Sequence, residues 1–184
     1  MTPHPAGPAR RIFLIGYRGT GKSTVGRRLA EVLGWAFLDA DAELEARHGK
    51  TIRTIFAEEG EAGFRDKEEA LLGELSAGED RVIATGGGVV LRPANRERLR
   101  AGFVVWLRAR PETIWERLRA DPTTAERRPD LSVGGREEVE QLLRQREPLY
   151  AQCADFTADT DDLSPEQITL AILSAWGSSS TTVM

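Results

Sequence analysis

Ile12-Phe13-Leu14-Ile15 running into Gly16-Tyr17-Arg18-Gly19-Thr20-Gly21-Lys22-Ser23 is the stretch that decides the fold. The apolar block reads as a short buried strand of a parallel sheet. The eight residues after it fit the pattern G-x-x-x-x-G-K-[ST], and Val25, Leu29, Val32 and Leu33 follow at the spacing of one helix face. Strand, glycine-rich loop and helix in that order form the setting a phosphate-binding loop requires. Glycines let successive backbone N–H groups turn into one concavity, and the helix N-terminus adds partial positive charge. Lys22 can then reach the β- and γ-phosphates of a nucleotide, and the Ser23 hydroxyl can ligate Mg²⁺. Of 25 basic residues only three are lysines (Lys22, Lys50 and Lys67), and one of them stands at the motif's lysine position. The stretch predicts a protein that binds a nucleoside triphosphate.

Outward from this loop the chain alternates strands with helices. A second strand is expected at 35–38, delivering Asp39-Ala40-Asp41 at its end, with a short helix over 42–47 stopped by His48-Gly49. Helical segments at 51–59 and from Glu61 flank Gly60, and the second turns Phe64, Leu71, Leu72 and Leu75 inward. Strands at 81–85, 103–107 and 156–158 and helices near 93–101, 111–120, 136–150 and 165–176 complete the pattern. Asp121 to Gly135 interrupts it with prolines, paired glycines and Arg127-Arg128, the composition of a lid or binding loop. The expected organisation is a disordered tail over 1–10, one domain over 11–178 and a frayed tail over 179–184. Its fold class is α/β, a parallel sheet covered on both faces by helices.

In such sheets ligands bind at the carboxyl ends of the strands. The phosphate loop, Asp39 with Asp41, and Gly86-Gly87-Gly88 all fall there. Phosphoryl transfer needs a cradle, a metal, a positioned acceptor and cations for spreading charge. Two carboxylates two apart on an extended segment can divide the work, one facing Mg²⁺ and the other orienting an acceptor hydroxyl. For Asp41 a helix N-cap is the structural alternative. Three glycines directly after a buried strand mark close approach of a ligand or backbone. By residue type alone Arg65 and Arg146 read as ordinary surface arginines in a chain with 22 of them, while Arg127-Arg128 in the irregular loop suit a cation brought to a phosphate. His48 is explained by a helix end and Trp106 by the core.

The remaining composition narrows the classes. At 184 residues, 40% hydrophobic and 29% charged, the chain suits one soluble globular domain. A net charge of −4 gives no general attraction to nucleic acid or to an anionic membrane. No segment has the length of a membrane span, and residues 1–11 lack the apolar core of a signal peptide. Cys153 is the single cysteine, which excludes an intramolecular disulfide and a cysteine-built metal site. A cytoplasmic monomer is expected.

Taken together the motifs resemble the shikimate kinase family from about residue 11 to 160. The resemblance is carried by the phosphate loop, Phe37-Leu38-Asp39-Ala40-Asp41, Ile55-Phe56, Gly60-Glu61, Phe64-Arg65, Thr85-Gly86-Gly87-Gly88, Arg128-Pro129 and Arg146-Glu147-Pro148-Leu149-Tyr150. It implies a three-layer P-loop kinase fold with five parallel strands in the order 2-3-1-4-5 and a mobile lid over about 121–135. It also implies ATP-dependent phosphorylation of the shikimate 3-hydroxyl, a step toward chorismate and the aromatic amino acids. Under the resemblance Gly19, Thr20, Gly21, Lys22, Ser23 and Thr24 bind the nucleotide, with Arg119 stacked on adenine. Ser23 and Asp39 hold one Mg²⁺, and Asp41 orients the attacking hydroxyl. Arg65 and Arg146 clamp the carboxylate, Glu68 steadies Arg65, and Gly87 and Gly88 complete the acceptor pocket. Arg128 meets the transferring phosphate beside Lys22. The sequence departs from the family at Arg128-Pro129-Asp130-Leu131, where a leucine usually stands in place of Asp130, and the segment before it, Ala120 to Arg127, is about two residues longer than the family's. A gluconate kinase of the same fold and a nucleotide-binding regulatory module are the rival readings. Asp39-x-Asp41, the glycine triplet and Arg146 through Tyr150 argue against the first; the retained acceptor-side residues argue against the second.

Overall fold

The computed structural model describes residues 10–121 and 135–179. Five strands, β1 (Arg11–Ile15), β2 (Ala36–Asp39), β3 (Arg81–Ala84), β4 (Phe103–Arg108) and β5 (Phe156–Asp159), form one sheet in the order β2-β3-β1-β4-β5. Every neighbouring pair is parallel, with Leu14 of the central strand level with Ala84 on one side and Val105 on the other. The expected fold class and strand order are therefore those observed.

The α-helices of the described residues are α1 (Lys22–Leu33), α2 (Ala40–His48), α3 (Ile52–Leu75), α4 (Pro93–Leu99), α5 (Pro111–Ala120), α6 (Gly135–Cys153) and α7 (Pro165–Ser178). Alternation along the buried strands feeds two cores, because successive side chains point to opposite faces. Phe13, Ile15, Ile83, Val104 and Trp106 pack on one face with Leu44, Phe64, Leu72 and Tyr150. On the other face Ile12, Leu14, Val82, Val105 and Leu107 meet Val25 and Leu29 of α1 and Ile168 and Ile172 of α7. Trp106 is a core residue, as expected, its ring tilted against Tyr150 at 5.7 Å.

Local signals set most boundaries. Gly34 and Gly49, both left-handed, end α1 and α2, and His48 is the last residue of α2. The two helical segments expected around Gly60 are continuous as α3, but Gly60 (φ 70°, ψ −177°) breaks the helical path at that point. Ser164 and Gln167 form a reciprocal capping box at the start of α7.

Two expectations shift. The buried stripe of α1 is Val25, Gly26, Leu29 and Ala30, while Val32, expected inward, is 61% exposed. Strand β2 lies one residue later than expected, so Asp39 belongs to it and α2 starts at once from Ala40. Asp39 is consequently the cap of α2: its side chain accepts from the backbone N–H groups of Asp41 and Ala42. The cap considered for Asp41 falls two residues earlier. Most of the tail over 1–10, the whole of 180–184 and residues 122–134 of the expected lid lie outside the described residues.

Candidate active site

Because all five strands run the same way, the loops leaving β1, β2 and β3 open on one edge of the sheet. A cavity of about 460 Å³ lies there, lined by the phosphate loop, Asp39, Asp41, Thr85 and Gly87, and by Arg117 from α5.

The phosphate loop is held by its own geometry. Gly16 (φ 137°) passes so close to β4 that a Cβ would stand 2.4 Å from the Leu107 carbonyl oxygen. No residue with a side chain fits there. The buried Thr20 hydroxyl donates to the Tyr17 carbonyl at 2.8 Å. The Lys22 ammonium donates to the carbonyls of Gly16 and Tyr17, both at 2.8 Å, which bends its stem back over the loop and places its charge above the cradle.

Ser23, in the first turn of α1, donates to Asp39 Oδ2 at 2.6 Å. The other Asp39 oxygen caps α2. One carboxylate thus links the starts of two helices, and its oxygen stands next to a hydroxyl at the mouth of the phosphate cradle. Among the described residues no group of three or more His, Cys, Asp or Glu could hold a metal. Ser23 and Asp39 nonetheless supply two hard oxygen donors, which fits an ion that takes most of its ligands from phosphate and water. Asp41, one helical residue on, lines the same cavity.

The glycine triplet lies between two buried arginines. Arg65 is 5% exposed and donates from Nη1 to Glu68 at 2.7 Å and from Nη2 to Glu61 at 3.1 Å. A Cβ added to Gly88 would lie 2.4 Å from that guanidinium, so the residue must be glycine for Arg65 to sit where it does. Arg146 is 4% exposed, with its guanidinium carbon 5.7 Å from the centre of the Tyr17 ring. A Cβ at Gly87 would stand 3.6 Å from Arg146 Nη1. The Tyr150 hydroxyl, one turn beyond Arg146 on α6, donates to the Gly87 carbonyl. Burial pushes the Tyr17 phenol up from its ordinary value, against the opposing pull of Arg18 and Arg146. Tyr17 is therefore a neutral ring on which cations rest.

The structure brings together Gly19, Gly21, Lys22, Ser23, Thr24, Asp39, Asp41 and Gly87 around the cavity, with Gly88, Arg65 and Arg146 in the wall behind Gly87. Glu68 contacts Arg65 as expected. Arg128 lies outside the described residues. Arg119 is exposed and off the cavity, whereas Arg117 lines it, donating to the Gly19 carbonyl at 3.4 Å and the Thr160 hydroxyl at 3.0 Å. Helix phase explains the difference. Ile114 is the buried anchor of α5, and positions three and four later, Arg117 and Leu118, share its face. Counting from Ile114 would have found Arg117. Arg18 and Glu45 also line the cavity without having been singled out by the sequence.

A match to the family described as shikimate kinase covers residues 18–176. The shikimate kinase of Rhodopirellula baltica is 44% identical over 172 residues, spanning 92% of each chain. The chain belongs to the shikimate kinase family. The solved shikimate kinase of Acinetobacter baumannii, in complex with shikimate, is 39% identical, covers 97% of each chain and superposes with a TM-score of 0.88. A gluconokinase from Sinorhizobium meliloti also superposes, at TM-score 0.58 over 95% of each chain, but at 14% identity the likeness is one of fold alone.

Proposed function

We propose that this chain transfers the γ-phosphoryl group of ATP to the 3-hydroxyl of shikimate, giving ADP and shikimate 3-phosphate for the synthesis of chorismate and the aromatic amino acids. The observation that carries the reading is the placing of Asp41, the glycine triplet and two buried arginines beside one phosphate cradle. Shikimate has one carboxylate and three hydroxyls, and guanidinium forks with an acidic acceptor match that set of groups.

In this reading the cradle from Gly19 to Thr24 binds the phosphates of ATP, and the Lys22 ammonium moves from the loop carbonyls to the γ-phosphate as charge spreads there. Arg65 and Arg146 take the acceptor carboxylate, and their burial strengthens both contacts. Asp41 accepts a hydrogen bond from the 3-hydroxyl, aims its oxygen at the γ-phosphorus and draws off its proton as the new P–O bond forms and the bridge to ADP breaks. Arg117, at the P-loop edge of the cavity, takes the nucleotide contact that the family resemblance gave to Arg119. Mg²⁺, held through Ser23, Asp39 and the phosphates, would neutralise charge on the β- and γ-phosphoryl groups. A cytoplasmic enzyme fits a reaction between two soluble metabolites; among the described residues no helix is long and apolar enough to cross a membrane. A single chain supplies every group named, which supports a monomer.

The test is ADP release with ATP and Mg²⁺, comparing shikimate, gluconate and no acceptor. Turnover with shikimate alone supports the reading. Release with gluconate keeps the phosphate site and overturns the acceptor, and ATP binding without acceptor-dependent release keeps the phosphate site and overturns phosphoryl transfer.

A further inference from the structure

Helix α6 turns one face inward, carrying Glu138, Val139, Leu143, Arg146 and Tyr150. Two of these five are charged, and burial of charge is costly unless it is paired. Arg146 and Tyr150 belong to the acceptor pocket described above. Glu138, 1% exposed and two turns earlier, does not yet have a role. Its Oε1 accepts from Arg18 Nη2 at 3.5 Å across 120 residues of sequence.

Arg18 stands on the phosphate loop, and its guanidinium reaches Glu138 of α6. Its guanidinium carbon lies 5.9 Å from the centre of the Tyr17 ring, the ring that Arg146 also meets at 5.7 Å. Its backbone nitrogen would be 3.5 Å from a Cβ on Gly87, which would also meet the Gly16 carbonyl oxygen at 3.5 Å and Arg146 Nη1 at 3.6 Å. Unlike Arg65 and Arg146, Arg18 lines the cavity directly. One aromatic ring thus gathers two guanidinium groups, and Gly87 stands against the backbone of one of these arginines and the guanidinium of the other.

We propose that Arg18 is a third cation of the acceptor pocket, directed at the acceptor carboxylate, and that Glu138 is its positioning residue. Glu138 turns the side chain toward Arg146 and away from the triphosphate, and ties the first turn of α6 to the phosphate loop. A guanidinium offers five donors in a fixed fork, so one side chain can hold Glu138 and meet an acceptor carboxylate at once. The inference deepens the reading of shikimate as acceptor and rests on it.

The test uses the full chain and the variants Arg18→Met, Glu138→Gln and the double. ADP release is measured against shikimate at saturating ATP and against ATP at saturating shikimate, and calorimetry follows shikimate binding alone. Arg18→Met is expected to raise the shikimate KM and Kd about tenfold, with the ATP KM held within about twofold. Glu138→Gln should raise the shikimate KM about threefold or more, and the double variant should lose no more than Arg18→Met alone, since both changes act through one guanidinium. A shikimate KM like wild type in both single variants, additive losses, or a rise confined to the ATP KM would each overturn the proposal. The double variant leaves neither charge orphaned, so where a single change unfolds the protein it decides alone: an acceptor KM raised about tenfold supports the proposal and an unchanged one overturns it. A wild type that ignores shikimate removes the acceptor reading and this proposal with it, whereas an active wild type with indifferent variants removes this proposal only.

Discussion

Ser23 and Asp39 meet through a 2.6 Å hydrogen bond that joins the first turn of α1 to the end of β2. Because Asp39 also caps α2 through Oδ1, the metal role proposed for it would fall to its other oxygen.

Asn caps helices about as well as Asp, so Asp39→Asn separates the two tasks. Thermal stability should move by less than about 1 kcal/mol, while the Mg²⁺ concentration for half-maximal rate rises about tenfold, as expected for loss of one charged donor. Titrating activity against Mg²⁺ at fixed ATP checks this. An unchanged Mg²⁺ requirement would leave Asp39 as a cap only.

Lys22 spans two settings, the carbonyls of Gly16 and Tyr17 and the phosphate it is to meet. Lys22→Ala should lower kcat by at least about 10²–10³-fold, the usual loss when a transition-state donor is removed. Calorimetry should find shikimate affinity little changed, since Arg65, Arg146 and Asp41 remain. A near-normal kcat would disprove the assignment of the phosphate loop.

Gly88→Ala places a methyl carbon 2.4 Å from the Arg65 guanidinium. Arg65 is pinned by Glu61 and Glu68 and has little room to yield. The expected outcome is a shikimate KM raised about tenfold or more with the ATP KM nearly constant, the pattern of a lost binding interaction on one side of the site. Steady-state kinetics for both substrates checks it, and equal changes in the two KM values would move Arg65 out of the acceptor pocket.

The parts of this site that were legible in the sequence are those whose residue types are forced locally. A loop that curls around phosphate needs glycine at Gly16, and a buried strand before it has to be apolar, so the pattern survives without coordinates. Asp39 and Asp41 were legible by their position at a strand end, although a one-residue shift in β2 moved the helix cap from one to the other. That Arg117 and not Arg119 lines the cavity was not legible from the resemblance, and follows only once α5 is phased on the buried Ile114. The contact of Arg18 with Glu138 was not legible at all. It joins residues 120 apart, and neither residue type says which arginine or glutamate will be buried.

Cys153, near the end of α6, is half-buried, and burial pushes its thiol up from the ordinary value against the pull of Arg96 and Arg100. A raised value means less thiolate at any given pH below it. Alkylation of Cys153 by iodoacetamide should therefore be slower than that of a free thiol at pH 8, with its midpoint displaced to higher pH, and alkylation in the native protein should spare activity. A rate matching free cysteine would show that the thiol is solvated.

Gly26 lies on the buried face of α1, where a Cβ would approach the Phe37 ring to 2.5 Å and Leu14 Cδ1 to 3.1 Å. Two effects oppose each other in Gly26→Ala. The helix gains about 0.5–1 kcal/mol from replacing glycine, and overpacking costs about 1–3 kcal/mol. Leu14 is fully buried in the central strand and cannot withdraw, so the clash should win and the melting temperature fall by about 2–4 °C for each net kcal/mol lost. The relief available is at Phe37, which is half-buried and carries the Arg27 guanidinium 5.2 Å from its ring centre. Arg27 lines the same cavity as Ser23 and Asp39, so a displaced ring carries the change into the metal side of the site. The variant should thus lose stability and shift its Mg²⁺ dependence while keeping its shikimate KM. A higher melting temperature with unaltered kinetics would mean that the α1–β2 packing yields without cost.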